Sequence, residues 1–131
     1  MFVLLAAAAC AWVALLVLAP LLPASAAAVL YAVGSVICHQ RAERSLHLYS
    51  MQLPVCGRCV GIYAGAAIGS LAAAASTWRS RMERTSPRAL LAYGAVPTVL
   101  TIAAEWSGAW SGSNMWRAAA GAPLGLSLIH I

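Results

Sequence analysis

The sequence predicts an all-α protein, a polytopic transmembrane helix bundle of about five spans in which the last helix is truncated. Hydrophobic residues make up 63% of the 131 residues and charged residues only 8%, against roughly 25% charged residues in an ordinary soluble domain. The mean hydropathy is +0.84. Apolar segments near the roughly 20 residues that cross a bilayer alternate with short polar segments. These observations exclude a disordered chain, a coiled coil and a small disulfide-stapled secreted domain.

The first two predicted helices lie in the first forty residues, which contain no charged side chain. Forty apolar residues are enough for two spans, and Pro20 and Pro23 mark the turn between them. We therefore predict helices over Phe2–Ala19 and Leu21–Ile37. The small residues Ala24–Ala26 would also suit a signal-peptide cleavage site, but the segment lacks a positively charged beginning and its apolar run is long.

The later segments alternate between polar and apolar. They are a polar loop over Cys38–Leu53, a third helix from Pro54 to about Ser76, a basic loop over Thr77–Arg88, a fourth helix over Ala89–Ala104, a polar turn over Glu105–Asn114 and a fifth helix from Met115. Pro97 predicts a kink in the fourth helix.

The last six residues, Leu126–Ile131, resemble the translation of a sequencing adapter. We expect them to be a non-native tail that follows a single membrane domain of residues 1–125. On this interpretation the fifth helix is truncated, and His130 takes no part in a site.

The order of the spans predicts which loops share a membrane face. The loop at 38–53 and the turn at 105–114 fall on one face, and the basic loop falls on the other. Four arginines lie between Arg79 and Arg88, and positively charged loops favour the cytoplasmic side. We expect this loop in the cytoplasm and the Cys/His face outside a bacterial inner membrane. The arginines are therefore interpreted as determinants of topology in a lipid bilayer, and no nucleic-acid partner is expected.

A cysteine and histidine motif marks the candidate site. Cys38 and His39 end the second predicted helix, and Cys56 and Cys59 lie three residues apart at the start of the third. The helix N-terminus and Arg58 favour thiolate over thiol. Three thiolates and one imidazole would form a tetrahedral Cys₃His metal site, although adjacent residues such as Cys38 and His39 rarely bind one ion together. Zinc is the first choice, with copper or iron as alternatives because soft thiolates suit all three.

Two other interpretations of the cysteines stay open. The first is thiol–disulfide exchange by Cys56 and Cys59, with Cys38 as a third exchanging thiol. The second is a purely structural or assembly protein in which the cysteines only pack, as expected for Cys10. A c-type haem is excluded because Val60 stands where that motif requires histidine.

Glycine recurs every four residues along the third predicted helix. This spacing places small residues on one face and lets another helix approach closely. The ridge predicts either the centre of the bundle or a homo-oligomer contact, and its members are Gly57, Gly61, Gly65 and Gly69.

The chain resembles an uncharacterised bacterial membrane-protein family, domain of unknown function 2085. The resemblance rests on Cys38-His39-Gln40, on Glu43-Arg44-Ser45 and on the segment from Leu53 to Gly65, and continues more weakly through Pro97, Asn114 and Arg117 to Gly125. The resemblance implies a small polytopic protein with a Cys/His motif. The matched motif includes His39 but not His47. The family usually has Asp-Gly where this chain has Glu105-Trp106.

Several polar residues are expected to support the site or bind an anion beside it. Glu105 and Arg117 would form an ion pair or handle protons; alternatively, both side chains extend to the membrane interface. The complete set is Arg41, Glu43, Arg44, Arg58, Glu105, Asn114 and Arg117.

Overall fold

The computed structural model describes residues 2–75 and 86–128. This part of the chain is mostly helical, as the sequence predicts, and holds five helices and one β-hairpin. Their bounds are α1 Phe2–Leu18, α2 Ala24–Ile37, β1 Ser45–Leu48, β2 Met51–Cys56, α3 Gly57–Ala74, α4 Pro87–Trp106 and α5 Asn114–Leu128. The predicted basic loop lies outside the described residues except for its last three, 86–88.

The expectation of about five spans is met only in part. Three helices of the described chain are long and apolar enough to cross a membrane, at Val3–Leu21, Gly57–Ala74 and Pro87–Trp106. The 14 residues of α2 would extend about 21 Å, which is less than the roughly 30 Å of a hydrocarbon core. The second predicted helix is shorter than expected because Ala19–Leu21 forms a 3₁₀ turn and Pro23, with φ of −53° and ψ of 145°, precedes the first residue of α2.

The polar loop predicted over Cys38–Leu53 in fact contains most of the β-hairpin, and α3 begins three residues later than predicted. His47 pairs with Gln52 and Leu48 with Met51 across the two antiparallel strands. Tyr49 and Ser50 make the turn with φ of 49° and 65°, the left-handed conformation of tight two-residue hairpins. The Asn-Gly or Asp-Gly signal of such turns is missing from the sequence, so the hairpin was not predicted.

The first helix ends beside the candidate site. Leu16, near the end of α1, is buried in one apolar cluster with Cys38 and Val55. Trp12 packs edge-on against Tyr63 of α3, with ring centroids 6.1 Å apart. The ends of α1 and α2 therefore lie together at the β-hairpin, a region that we call the hairpin end. Two consecutive spans would place these two helix ends on opposite faces, so this packing gives no support to the predicted crossing by α2.

The glycine ridge of α3 packs against α5 of the same chain. A Cβ atom on Gly61 would collide with the carbonyl oxygen of Ala118, and one on Gly65 with that of Ala122. Gly125 of α5 meets the backbone of α3 in the same way. This close approach makes α3 and α5 the centre of the described bundle. A homo-oligomer that used this ridge would have to displace α5.

Candidate metal centre and the adjoining cavity

Three cysteines converge at the hairpin end. The Sγ atoms of Cys38, Cys56 and Cys59 all lie within 4.8 Å of one another. Cys38 follows the last residue of α2, Cys56 is the last residue of β2, and Cys59 lies in the first turn of α3. Cys56 and Cys59 are neighbours through local geometry, whereas Cys38 is brought to them by tertiary packing.

A direct hydrogen bond links Cys38 to the start of α3. The backbone N–H of Cys56 donates to Cys38 Sγ at 3.2 Å. Cys38 itself adopts an extended conformation, and its N–H donates to the carbonyl oxygen of Gly34 at 2.9 Å. The sulfur is thereby fixed at the end of α2, facing the amino end of α3.

Two glutamines hold α2 against the β-hairpin. Gln40 Nε2 donates to the carbonyl oxygens of Tyr31 and Pro54, each at 2.7 Å. Gln52 Nε2 donates to the carbonyl oxygen of Gln40 at 2.6 Å, and the Tyr31 hydroxyl donates to the carbonyl oxygen of Gln52. These bonds set the position of Cys38 relative to Cys56. Sequence reasoning missed Tyr31 and Gln52, since neither belongs to the quoted motif.

Glycine is required where α2 crosses β2. A Cβ atom on Gly34 would overlap the carbonyl oxygen of Pro54. Pro54 has no N–H to donate, but its carbonyl accepts from Gln40 at this same crossing. The close contact at Gly34 therefore helps to bring Cys38, four residues later, within reach of the other two sulfurs.

The thiol of Cys56 lies in an environment that favours its charged form. A hydrogen bond from the Cys59 thiol lowers the pKa of Cys56, and the Cys59 backbone N–H adds to this effect. The Cys38 thiol and the Arg58 N–H lower this pKa further, while burial opposes them. The amino end of α3 thus stabilises a thiolate, in the way expected for a cysteine at a helix N-terminus.

Histidine does not belong to the group of sulfurs. His39 is exposed, and its ring nitrogens lie outside the group formed by the three cysteines. The reason is the extended backbone at Cys38, because successive side chains of an extended chain point to opposite sides. His47 is also exposed, on β1. Among the described residues, the predicted Cys₃His set is therefore a Cys₃ group, and Cys10 lies outside it.

A second cluster of charged side chains surrounds Glu105. Glu105 Oε1 accepts from Arg117 Nε at 2.8 Å and from Arg58 Nη2 at 3.1 Å. The Glu105 side chain is only 5% exposed, so the interpretation in which Glu105 and Arg117 extend separately to the interface does not describe this structure. The participation of Arg58 was not predicted, because 47 residues separate it from Glu105.

Asn114 connects this charged cluster to the β-hairpin. Its Oδ1 accepts from Arg117 Nη1 at 2.6 Å, and its Nδ2 donates to the carbonyl oxygen of Ser45 at 2.7 Å. Ser45 is fully buried, so Asn114 satisfies a backbone acceptor that would otherwise be costly to bury. The amino end of α5 is fixed in this way beside the hairpin end.

The exposed charges form a much weaker interaction. Arg41 Nη1 lies 3.7 Å from Glu43 Oε1, and both side chains are more than half exposed. Exposed ion pairs of this kind contribute at most about 1 kcal/mol. Arg44 is half-buried and forms no ion pair within residues 2–75 and 86–128.

The cysteine group opens onto a cavity of about 450 Å³. All three cysteines line it, and so do four arginines. The remaining lining is mixed apolar and polar. The arginines are Arg41, Arg44, Arg58 and Arg117, and the other lining residues are Ile37, His39, Gln40, Ile62 and Trp106.

One family model covers the part of the chain that contains this site. The model of a family described as predicted membrane protein, DUF2085, matches residues 38–131, which include every residue of the cysteine group. The chain belongs to this family. No solved structure matches the chain.

Two relatives of this DUF2085 protein come from archaea. An uncharacterized protein of Methanothermobacter thermautotrophicus is 33% identical over 93 residues, which are 70% of this chain and 80% of the relative. The uncharacterized protein MJ1492 of Methanocaldococcus jannaschii is 48% identical over 42 residues, which are 32% of this chain and 27% of that protein. The chain thus matches about a quarter of the length of MJ1492. These relatives give no support to the bacterial source expected from the sequence.

Proposed function

We propose that this membrane protein binds one thiophilic metal ion through Cys38, Cys56 and Cys59 at the hairpin end. The observation that supports this function best is the mutual approach of the three Sγ atoms to within 4.8 Å. Zinc–sulfur bonds of about 2.3 Å give sulfur–sulfur separations of about 3.8 Å in a tetrahedral site. The three side chains therefore need to move by only about 1 Å to surround an ion.

The number of cysteines also favours a metal. One disulfide would use two of the three sulfurs and leave the third as a buried thiol. A metal ion engages all three sulfurs together, and the lowered pKa of Cys56 supplies a thiolate before the ion binds. Zinc remains the first choice, with copper or iron as the alternatives that soft sulfur ligands also suit.

The fourth position of this metal would face the cavity. Structural zinc sites are closed by four protein ligands, whereas sites with three protein ligands keep a position for water or substrate. His39 lines the same cavity and would reach the ion only if its side chain turned inward. A position that small molecules reach suits a sensing, transport or catalytic role more than a purely structural one.

The location of the site relative to the membrane is part of this proposal. The α3–α4 connection contains the cluster of arginines between Arg79 and Arg88, which favours the cytoplasmic side. Since α3 begins and α4 ends at the hairpin end, spanning by both helices would put the metal site on the outer face of the cell membrane.

Metal analysis of protein purified in mild detergent tests the proposed function. We expect about one equivalent of metal in the unsubstituted protein. Cys56→Ser and Cys59→Ser should abolish binding, Cys38→Ser should weaken it strongly, and Cys10→Ser is the matched control that should retain the metal. Protein that contains no metal and takes up neither zinc, copper nor iron would reject the proposal.

Thiol–disulfide exchange is the second candidate function. It is favoured by the proximity of the Cys56 and Cys59 sulfurs, which lie within 4.8 Å of each other, and by the lowered pKa of Cys56. In this chemistry the two thiols would lose two electrons and two protons to a partner disulfide, which would become two thiols. Thiol counting with and without reductant separates the candidates, because only exchange predicts a reversible Cys56–Cys59 disulfide in metal-free protein.

A further inference from the structure

The cavity beside the cysteines has an excess of positive charge. Arg58 and Arg117 share the single carboxylate of Glu105. Arg44 lines the same cavity and has no ion-pair partner in the described ranges. Three arginines therefore face one carboxylate and the single thiolate that Cys56 can supply. Within the described residues this leaves at least one positive charge without a counterion. The exposed Arg41 is left out of this balance because Glu43 neutralises it.

A buried donor of Arg58 points to a missing acceptor. Arg58 Nη2 lies 3.1 Å from Glu105 Oε1 and 3.4 Å from Thr101 Oγ1. Arg58 Nε, in contrast, is buried and has no hydrogen-bond partner in the part of the chain that the structure describes. Buried donors are nearly always satisfied in folded proteins. This observation is independent of the charge balance and indicates an acceptor beside the same guanidinium group.

We propose that this cavity binds a phosphate group, with Arg44 and Arg58 as its principal donors and Arg117 completing the positive field. A phosphate group carries one to two negative charges at neutral pH and therefore matches this excess of positive charge. The planar guanidinium group presents paired N–H donors that fit phosphate oxygens. The proposed donors are different residues from the three metal ligands, although Cys38, Cys56 and Cys59 line the same cavity.

The size and lining of the cavity indicate an organic phosphate. A volume of about 450 Å³ lies in the range of small-molecule sites and exceeds what one inorganic phosphate fills. Ile37, Ile62 and Trp106 supply an apolar part of the wall. This combination suits either the headgroup of an anionic phospholipid or a soluble phosphate ester, both of which offer the same phosphate chemistry.

Calorimetric titration of the detergent-purified protein tests the proposal. One arm uses inorganic phosphate, a second uses dihexanoyl phosphatidic acid, and sodium chloride at equal ionic strength is the reference. We expect saturable binding of phosphate groups above the chloride reference. If the lipid binds more tightly than inorganic phosphate, the ligand is a lipid headgroup. If inorganic phosphate binds equally well or more tightly, the ligand is a soluble phosphate compound.

Substitutions at Arg44 make the test specific, because within residues 2–75 and 86–128 this side chain has no ion pair to break. Arg44→Gln should weaken binding roughly tenfold or more, as expected for the loss of a hydrogen bond between charged groups, and Arg44→Lys should have a smaller effect. Arg88→Gln is the matched control, since Arg88 is exposed at the opposite end of α4. Absence of saturable binding in both arms, or an equal loss in Arg44→Gln and Arg88→Gln, would overturn the proposal.

Cys56→Ser separates this proposal from the metal site. The substituted protein should lose metal and retain phosphate binding with little change in affinity. If the unsubstituted protein contains metal but does not bind phosphate, only the anion site is rejected. Phosphate binding in protein that never takes up metal would reject only the metal site.

Discussion

The backbone N–H of Cys56 donates to the sulfur of Cys38 at 3.2 Å, so the end of α2 and the start of α3 meet at one cysteine pair. This contact converts a local Cys-x-x-Cys arrangement into a group of three sulfurs. It depends on the packing of α2 against the β-hairpin, and not on the helix geometry that brings Cys56 and Cys59 together.

Gln40→Ala should loosen this packing and weaken metal binding. The substitution removes two hydrogen bonds, to the carbonyl oxygens of Tyr31 and Pro54, and we expect a loss of about 1–3 kcal/mol in the free energy of unfolding. Thermal unfolding in detergent and metal content after purification measure the two effects. The exposed neighbour His39 provides the control, because His39→Ala should leave unfolding unchanged. Wild-type metal affinity in Gln40→Ala would show that Cys38 is positioned by other contacts.

Glu105→Gln should be strongly destabilising. The change removes the one carboxylate shared by Arg58 and Arg117, and loss of one partner from a buried ion pair costs about 3–5 kcal/mol. Glu43→Gln is the matched control at an exposed pair and should cost at most about 1 kcal/mol. The melting temperatures of the two variants should therefore differ clearly, and similar values would contradict the buried role of Glu105.

Gly61→Ala should disrupt the contact between α3 and α5. The added methyl group would overlap the carbonyl oxygen of Ala118, so the helices must separate, at a cost of about 1–3 kcal/mol or more. Ile68→Ala on the same helix is the control, since Ile68 is 57% exposed. The yield of monodisperse protein and its melting temperature report the effect. A fully stable Gly61→Ala protein would show that this close approach is not required.

Metal removal should destabilise the protein. An ion that binds only the folded state raises the free energy of unfolding by an amount that grows with its concentration relative to Kd. A chelator should therefore lower the melting temperature of the unsubstituted protein. The return of excess metal should restore it. Cys56→Ser protein should melt at the same temperature with and without chelator. An equal response in both proteins would mean that the metal binds elsewhere.

Three single-cysteine additions test the membrane arrangement. Intact cells are treated with an impermeant thiol reagent. Ser50→Cys protein should be labelled more strongly than the unsubstituted protein, whereas Ser80→Cys protein should be labelled to the same extent as the unsubstituted protein. Val3→Cys discriminates between span counts. If α1 crosses and α2 does not, residue 3 lies on the face of residue 80 and stays unlabelled. Five successive spans would place it with residue 50 instead. Labelling at residue 80 but not at residue 50 would reverse the orientation.

Local sequence patterns determined the membrane character and most of the helices. Apolar runs near 20 residues predicted α1, α3 and α4 because a helix satisfies its own backbone hydrogen bonds and needs only an apolar surface to lie in lipid. The same locality explains the pairing of Cys56 with Cys59, since three residues bring two side chains to one face of a helix. The four-residue glycine spacing likewise predicted a close helix contact.

Tertiary structure alone decided which distant residues meet. The β-hairpin places Pro54 in a strand and moves the start of α3 to Gly57, and the extended backbone at Cys38 turns His39 away from the sulfurs. Arg58 reaches Glu105 across 47 residues. Such contacts depend on how whole elements pack, and no periodicity within a short segment encodes them. Short-range periodicity therefore predicted the helices and the cysteine pair, whereas long-range packing determined the third sulfur, the ion cluster and the cavity between them.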